Sequence, residues 1–294
     1  MSKDLDFVCG AVFSGEDGSA DVLGVPFDTT AREDASAKLQ EQWNKFSTLN
    51  SVPYDGRYKA DDDERLTISN YGDMDGVVAG MRRLIGGETS DQISSFDELD
   101  TCRALLFWAP AITDEIMIQR FSRALLLKPG RLFHWTQNVR RVTESYLTIS
   151  SSLAGSYSLE KNTLTFANVN TIRRALPKFD ETYAPGATQA DLERFFSNPI
   201  FEEKSSEIAK TSDSSQIGRL VWLVLNSGSD FASSFSKVQH FDKILNMDSV
   251  HDSKIVFPKD VARAKIILRV LLGDVFESNG NVYLTNSKRP VKAF

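Results

Sequence analysis

The chain has 294 residues, of which 41% are hydrophobic and 25% are charged. This composition excludes wholesale disorder and leaves room for one large or two modest domains. No apolar run approaches the roughly 20 residues that a membrane span needs. The first residues lack the basic and apolar regions of a secretory signal, so we expect a cytosolic protein.

The formal net charge of −6 is unevenly distributed. Residues 1–100 carry 9 Lys and Arg against 21 Asp and Glu, a net charge of −12, and residues 101–294 carry 25 against 19, a net charge of +6. We therefore predict an acidic N-terminal α/β part over residues 1–100 and a basic domain over residues 101–294. The basic part either binds a polyanion or neutralises the acidic part within the protein.

The first elements in chain order are a hairpin and a helix. Residues 6–13 and 21–27 are short apolar runs separated by Gly, Ser and acidic residues, which is a hairpin pattern. An amphipathic pattern then predicts a helix from Thr30 to about Leu49. The acidic run Asp61–Glu64 lacks the spacing of a calcium loop, so we interpret it as a solvated loop.

The middle of the chain predicts mainly strands. Arg65–Ser69 is typical of a strand, Val77–Ile85 of a short helix, and Arg103–Ala109 of a central strand. We predict a helix over Thr113–Leu127, because acidic residues start it and basic residues follow. Short alternating segments over residues 132–166 then predict an antiparallel meander.

The last third of the chain is predicted to be mainly helical. Helices are expected at Ala187–Phe196 and Ser205–Leu225, and another helix is expected between Pro258 and Gly273. Apolar residues surround this last helix on almost every side, so we expect it to be buried. The sequence therefore predicts an α+β fold with a mixed, mainly antiparallel sheet flanked by helices and with a helical C-terminal part.

The sequence contains no signature of catalysis. Nucleotide-binding glycine motifs, a nucleophile elbow and a zinc-binding H-E-x-x-H are all missing. His240 and His251 have acidic neighbours, but their spacing matches no metal-ligand pattern. The isolated cysteines Cys9 and Cys102 indicate buried reduced thiols rather than a metal site or a disulfide framework. We predict no catalytic residue, no metal site and no cofactor.

Basic residues mixed with aromatic residues suggest nucleic-acid binding instead. Arginine and lysine neutralise phosphates, and an exposed aromatic ring can stack on a base. An ordinary solvated face, with Trp135 in the core, explains the same composition. The predicted contact residues are Arg140, Arg141, Arg173, Arg174, Lys265, Arg269, Lys288 and Arg289.

Six segments in roughly the last half of the chain follow an order of strand, helix and closing Tyr-x-x-x-Ser-Lys. They are Tyr146–Ser150, Tyr157–Asn168, Phe195–Phe201, Ile255–Pro258, Ile267–Asp274 and Val282–Arg289. This order, which is not a catalytic signature, resembles the KwaB-like domain of Kiwa anti-phage defence systems. Residues 1–100 show no such resemblance.

The resemblance implies a cytoplasmic, homodimeric protein that joins a small membrane-spanning partner of the KwaA type. It also implies that the protein binds DNA and blocks phage replication or transcription, and that it is peripheral to the inner membrane through its partner. No catalytic residue follows from it. Two alternatives stay open: a non-catalytic dimeric scaffold that binds the membrane partner, and a metal-dependent nuclease.

Overall fold

An eight-stranded sheet contains most strands of the first 180 residues in the computed structural model of the protein. The chain forms two compact units: unit 1 comprises residues 1–54 and 60–180, and unit 2 comprises residues 55–59 and 181–294. The structure describes residues 7–15, 19–54, 56, 60–73, 76–89, 91–127, 132–135, 138–141, 146–183, 185–203, 205, 214–228, 230–279 and 281–284.

The regular elements of the described chain up to residue 183 comprise twelve strands and four α-helices. The strands are β1 (Val8–Ser14), β2 (Ala20–Gly24), β3 (Asn50–Pro53), β4 (Glu64–Ser69), β5 (Ala104–Ala109), β6 (Thr113–Arg120), β7 (Leu126–Leu127), β8 (Leu132–Trp135), β9 (Asn138–Arg141), β10 (Tyr146–Leu147), β11 (Gly155–Ser158) and β12 (Thr163–Phe166). The helices are α1 (Thr29–Ser47), α2 (Val77–Gly86), α3 (Val169–Ala175) and α4 (Phe179–Tyr183).

The sheet of unit 1 has the strand order β2-β1-β5-β6-β11-β12-β4-β3. Every neighbouring pair is antiparallel except β3 and β4, which are parallel. β5 lies inside the sheet, where Ala11 of β1 pairs with Leu105 and Gln119 of β6 pairs with the same residue. This position explains why the sequence of β5 is a continuous apolar run, since both faces of the strand are buried.

One face of the sheet packs against α1. Leu39 and Phe46 of the helix join Leu105, Phe107 and Met117 of the central strands in one buried cluster. The helix begins after Asp28, whose carboxylate accepts the N–H of Ala31 at 2.8 Å. This cap satisfies a backbone donor that would otherwise lack a partner at the start of the helix.

The opposite face packs against α2 and α3. Met81 of α2 lies with Leu106, Ile118 and Leu164 of the sheet around a small apolar void. α2 ends at Gly87, whose left-handed φ of 68° provides the backbone conformation of a glycine cap. Helices therefore cover both faces of the central strands, which explains why residues 104–107 and 116–119 are all buried.

Both cysteines lie in the core of unit 1 and are free thiols. Burial raises the pKa of the Cys9 thiol well above its usual value, with a smaller contribution from Cys102. Burial likewise raises the pKa of Cys102 to about 12. Both thiols therefore stay protonated near neutral pH, and the expectation of buried reduced thiols is confirmed.

A closed ring of hydrogen bonds ties α1 to the sheet. Gln119 Nε2 donates to Gln42 Oε1 at 2.6 Å, and Gln42 Nε2 donates to the carbonyl of Ser150 at 2.7 Å. The N–H of Ser150 then donates to Gln119 Oε1 at 3.1 Å. Gln119 has no exposed surface. Because a buried amide is costly without partners, this ring fixes the position of α1 over β6.

Unit 2 consists of helices with two short hairpins. Its helices are α5 (Gln189–Phe196), α6 (Ser214–Asn226), α7 (Phe231–Leu245) and α8 (Val261–Leu272), and its strands are β13 (Val250–His251), β14 (Lys254–Ile255), β15 (Val275–Ser278) and β16 (Asn281–Leu284). An aromatic group lies in its core, with ring centroids of Phe196 and Phe257 5.0 Å apart and those of Phe195 and Phe201 4.8 Å apart.

The helix expected between Pro258 and Gly273 is α8. Asp260 caps its start by accepting the N–H of Arg263 at 2.8 Å, and Gly273 ends it with a φ of 69°. Ile267, Leu268 and most neighbouring apolar residues are fully buried in the core of unit 2. The prediction of a buried helix is therefore confirmed.

Residues 55–59 belong to unit 2, although the residues on both sides of them belong to unit 1. Gly56 is buried and has a φ of +83°, a conformation that side chains other than glycine rarely adopt. Its carbonyl accepts a hydrogen bond of 3.1 Å from Arg219 Nη2 of α6. The chain therefore passes from one unit to the other three times.

The expected α+β fold with a mainly antiparallel sheet is confirmed, but the helix expected over Thr113–Leu127 is wrong. Thr113–Arg120 is the strand β6, and a short 3₁₀ turn at Arg123–Leu125 follows it. β6 lies between β5 and β11 in the sheet, and helices cover both of its faces, so the apolar run from Ile116 to Ile118 is buried. A continuous apolar run of this kind shows no periodicity, so the sequence pattern does not distinguish a helix from a central strand.

The boundary expected near residue 100 differs from the observed division. The N-terminal strand β1 pairs with β5, and β4 pairs with β12, so the same sheet contains strands from both sides of residue 100. The units divide instead at residue 180, with the excursion at residues 55–59. The division into units follows from hydrogen bonds between strands that are far apart in sequence, and amino-acid composition carries no information about these pairings.

The acidic and basic residues are distributed differently between the two structural units than between the two predicted parts of the sequence. The basic excess lies in residues 101–180, which carry 11 Lys and Arg against 5 Asp and Glu, whereas residues 181–294 carry 14 of each. Unit 1 as a whole has 18 basic against 25 acidic residues, and unit 2 has 16 against 15. The acidic N-terminal segments and the basic excess of residues 101–180 thus belong to one unit, within which their opposite charges partly offset each other.

Among the residues that the structure describes, no helix is both long and apolar enough to cross a membrane.

We predict that Gly155→Ala destabilises unit 1 by about 2–3 kcal/mol, because a Cβ at this position lies 2.4 Å from the backbone carbonyl oxygen of Thr165 in the neighbouring strand. Gly86→Ala is the control, since its Cβ approaches only the flexible side chain of Glu88, at 3.4 Å. Urea unfolding measures both. Equal midpoints for the two variants would contradict the tight approach of β11 and β12.

We also predict that Gln119→Leu lowers the free energy of unfolding by about 2–3 kcal/mol, because it leaves the Ser150 N–H and Gln42 Oε1 without partners. Gln42→Leu breaks the same ring. The double variant should lose less than the sum of the two single losses, because the second substitution removes a group that is already unpaired. Additive losses in urea unfolding would show that the ring does not act as one unit.

Candidate nucleic-acid interface

The eight predicted contact residues lie on four separate parts of the chain. Arg140 and Arg141 are in β9, and Arg173 and Arg174 are in α3, all within unit 1. Lys265 and Arg269 are in α8 of unit 2. Lys288 and Arg289 lie outside the described residues. Of the six predicted contact residues within the described part of the chain, four therefore belong to unit 1 and two to unit 2.

Arg140 and Arg141 lie in a two-stranded hairpin. In the pairing of β8 with β9, Leu132 is opposite Arg141 and Phe133 is opposite Arg140. This hairpin pairs with no other described strand. The segment from residue 128 to residue 141 contains four basic residues and no acidic residue, together with Phe133, His134 and Trp135. The described strands of this basic segment, β8 and β9, form a two-stranded sheet of their own.

α3 presents its two arginines differently. Arg173 forms an ion pair with Asp180, so a carboxylate of the same unit already balances its charge. Arg174 is exposed. Both lie in the last turn of the helix, where the helix dipole favours a positive charge. This local role accounts for Arg173 without a ligand, and Arg174 is the residue of the pair that faces solvent.

Lys265 and Arg269 take part in the structure of unit 2. Both are partly buried on α8, and both have interaction partners in the protein. Arg263 of the same helix donates from Nη1 to the carbonyl of Met247 at 3.2 Å. The basic side chains of Arg263, Lys265 and Arg269 thus all have partners within the protein.

The two C-terminal histidines form separate contacts. His240 Nε2 lies 3.0 Å from Glu277 Oε2, and His251 Nε2 lies 3.2 Å from the carbonyl of Asp248. Asp242, which lies close to His240 in sequence, accepts the N–H of Ser249 at 2.7 Å. Across the described ranges, no three His, Cys, Asp or Glu side chains are arranged to hold a metal ion.

A polar cluster beside α2, which joins the buried Tyr157 to more exposed side chains, is not apparent from the sequence. Tyr157 of β11 donates to Asn162 Oδ1, and Arg82 of α2 also hydrogen-bonds with its hydroxyl group. Asp73 caps α2 by accepting the N–H groups of Val78 and Ala79 at 2.9 and 2.7 Å. Burial is the main cause of the raised pKa of Tyr157, so the phenol stays neutral and acts as a hydrogen-bond donor.

An exposed aromatic pair in unit 2 is a second feature that sequence reasoning missed. Phe276 of β15 and Tyr283 of β16 are opposite each other in the hairpin, with ring centroids 5.3 Å apart and an angle of 20° between the rings. They are 47% and 44% exposed. Their alternation in the two strands is visible in the sequence, but only the structure shows that no element of the described chain covers them.

Comparison with known proteins gives no assignment, because no family model, curated protein or solved structure matches this chain.

Proposed function

We propose that this protein is a non-enzymatic effector of an anti-phage defence system that binds DNA without sequence specificity and obstructs replication or transcription. In this proposal it is cytoplasmic, homodimeric and held at the inner membrane by a KwaA-like membrane-spanning partner. The resemblance of its C-terminal half to KwaB-like domains supports the defence role, and the basic hairpin of unit 1 supports DNA binding.

The β8–β9 hairpin is the observation on which the DNA proposal rests. A two-stranded ribbon has the width to enter the major groove of B-form DNA. Arg140 and Arg141 are in one of its strands, and Arg131 precedes the other. Because this segment has no carboxylates, it combines positive charge with the shape of a groove-binding element.

The overall negative charge of unit 1 limits where DNA can bind. With 18 basic and 25 acidic residues, unit 1 as a whole repels a polyanion. DNA is attracted only where the basic excess is local, and the segment from residue 128 to residue 141 provides that excess. In this proposal DNA contacts are therefore confined to that segment, and the affinity depends on salt because each phosphate contact releases counterions.

We predict that the protein binds duplex DNA, measured by fluorescence anisotropy, and that the affinity falls steeply between about 50 and 200 mM salt. The double variant Arg140→Glu/Arg141→Glu should weaken binding at every salt concentration. It should also flatten the slope of log K against log salt by roughly 2, since each lost phosphate contact contributes about 0.9.

The matched control is Lys237→Glu/Lys243→Glu, which reverses two exposed charges on α7 of unit 2. It should leave the slope unchanged. Equal losses in both double variants would show that only net charge matters and would remove the hairpin from the proposal. DNA recovered intact after incubation with magnesium or manganese is expected, and degradation that a chelator stops would favour the metal-dependent nuclease.

A second function, that of a non-catalytic dimeric scaffold, is favoured by the exposed aromatic pair. Phe276 and Tyr283 place two adjacent rings on the surface of unit 2, and the hairpin that carries them pairs with no other described strand. Exposed aromatic residues are enriched at interfaces, since they bury a large area at a small entropic cost. The occupant in this proposal is the same hairpin of a second copy. The apolar residues of α8 are already buried in unit 2, so this helix does not provide the dimer surface.

We predict that Phe276→Ser/Tyr283→Ser shifts the dimer dissociation constant, measured by sedimentation equilibrium, upward by roughly a hundredfold, because each buried aromatic side chain contributes about 1.5–3 kcal/mol. Ile244→Ser changes a third exposed apolar side chain of unit 2 and serves as the control. An unchanged dissociation constant in the double variant, or a wild-type protein that is monomeric, would contradict this surface as the dimer contact.

A further inference from the structure

Unit 1 contains a cavity of about 220 Å³ at the end of the β1–β2 hairpin. Its walls come from the residues before and in β1, the segment from the end of β2 to the start of α1, the end of α2, and Thr89, Asp91 and Gln92. The volume is somewhat below the roughly 300–1,000 Å³ of pockets for drug-sized ligands. It therefore suits one small ring system with a substituent at the mouth, and not a polymer chain.

Backbone contacts fix one wall of the cavity. The N–H of Gly24 donates to the carbonyl of Asp91 at 2.8 Å, and the N–H of Ile93 donates to the carbonyl of Gly24 at 3.0 Å. A Cβ on residue 24 would lie 3.2 Å from the side chain of Gln92 and 3.3 Å from the carbonyl oxygen of Asp91. Glycine thus allows a close approach that places Asp91 and Gln92 in the wall.

Aromatic rings form the apolar part of the cavity. Phe7 and Phe27 both line it, and their ring centroids are 5.3 Å apart at an angle of 56°. Phe7 also packs against the buried Phe107, with ring centroids 6.1 Å apart. This second contact anchors Phe7 on the core. Because both Phe7 and Phe27 are only partly buried, each retains exposed ring surface for a ligand.

The polar part of the cavity contains opposite charges. Arg32 in the first turns of α1 donates from Nε to the carbonyl of Phe27 at 3.0 Å, which holds its guanidinium group beside the aromatic wall. Within the described ranges, Arg32 and Asp91 form no ion pair with each other or with another residue. A ligand at this place can thus meet a guanidinium donor and a carboxylate acceptor together with an aromatic surface.

From this combination we infer that the cavity is a binding site for a small anion that carries a planar heteroaromatic ring, of the nucleoside monophosphate class. The ring packs on Phe27 or Phe7, the phosphate accepts hydrogen bonds from Arg32, and an exocyclic N–H group of the base donates to Asp91. The aromatic surface alone is compatible with many apolar ligands. The planar guanidinium group of arginine favours an oxyanion such as phosphate, which can accept two of its N–H groups, and the carboxylate favours a hydrogen-bond donor on the ring.

This inference is independent of DNA binding by the β8–β9 hairpin, because it concerns other residues of unit 1. The two proposals are separated by their variants. Arg32→Gln leaves residues 128–141 unchanged, and Arg140→Glu/Arg141→Glu leaves the lining of the cavity unchanged.

The test is isothermal titration of the full chain with adenosine 5′-monophosphate, with ribose 5-phosphate, adenosine and inorganic phosphate as separate probes. We expect saturable binding of the monophosphate at one site per chain. Arg32→Gln should weaken it by roughly tenfold or more, the fold-change that corresponds to the loss of a hydrogen bond to a charged group. Lys38→Gln is the matched control, since it removes a charge from an exposed residue of the same helix that does not line the cavity.

Two further variants examine the ring. Phe27→Leu keeps an apolar side chain but removes the aromatic surface, so it should weaken the monophosphate and adenosine alike. Asp91→Asn should weaken adenosine while phosphate binding stays unchanged. Hydrogen exchange of the intact protein should show slower exchange over residues 24–32 and 89–93 when the monophosphate is bound.

Several outcomes would overturn the inference. These are no saturable binding of the monophosphate at millimolar concentration, equal weakening by Arg32→Gln and Lys38→Gln, or binding of ribose 5-phosphate as tight as that of the monophosphate. Protection that appears only outside the cavity segments would overturn it too, since binding would then occur elsewhere on the chain.

Discussion

The pairing of β5 with both β1 and β6 is the constraint on which unit 1 depends. This central strand brings residues 8–12 beside residues 104–108, and its other edge fixes β6, from which β11, β12 and β4 extend. Because the sheet is completed by segments from both sides of residue 100, the acidic and basic parts of the sequence cannot fold as separate domains. The charge asymmetry is therefore largely internal to one unit, and positive charge remains in excess only locally.

Unit 2 depends on a different interaction, the burial of α8. Its capping residues Asp260 and Gly273 define the length of the helix, and its apolar residues pack against α6 and α7. Because nearly all of the apolar surface of α8 is buried inside unit 2, contacts with other molecules must come from other, exposed residues of the unit. There the stacked rings of Phe276 and Tyr283 are the largest exposed apolar feature among the described residues.

Short-range signals in the sequence predicted many of the helices and turns correctly. The pairing of strands that are far apart in sequence was not predicted. The first hairpin and the helices with caps were predicted correctly, because turn residues and caps act over a few positions. β6 was taken for a helix since both of its faces are buried, and the boundary at residue 100 failed since strand pairing is not visible in composition. The basic hairpin was recognisable from residues 131–141, whereas the cavity was not, because only packing brings Phe7, Arg32 and Asp91 together.

The hydrogen bond between Gly56 and Arg219 bears on the order of folding. Gly56 belongs to unit 2, but Arg219 lies 163 residues later in the chain. During synthesis Gly56 therefore lacks this partner while β4, β5, β6, β11 and β12 of the large sheet are made. Unit 2 is completed last, and closing so long a loop is slow compared with forming local contacts. A chain that ends before α6 can complete the sheet but leaves Gly56 without this partner.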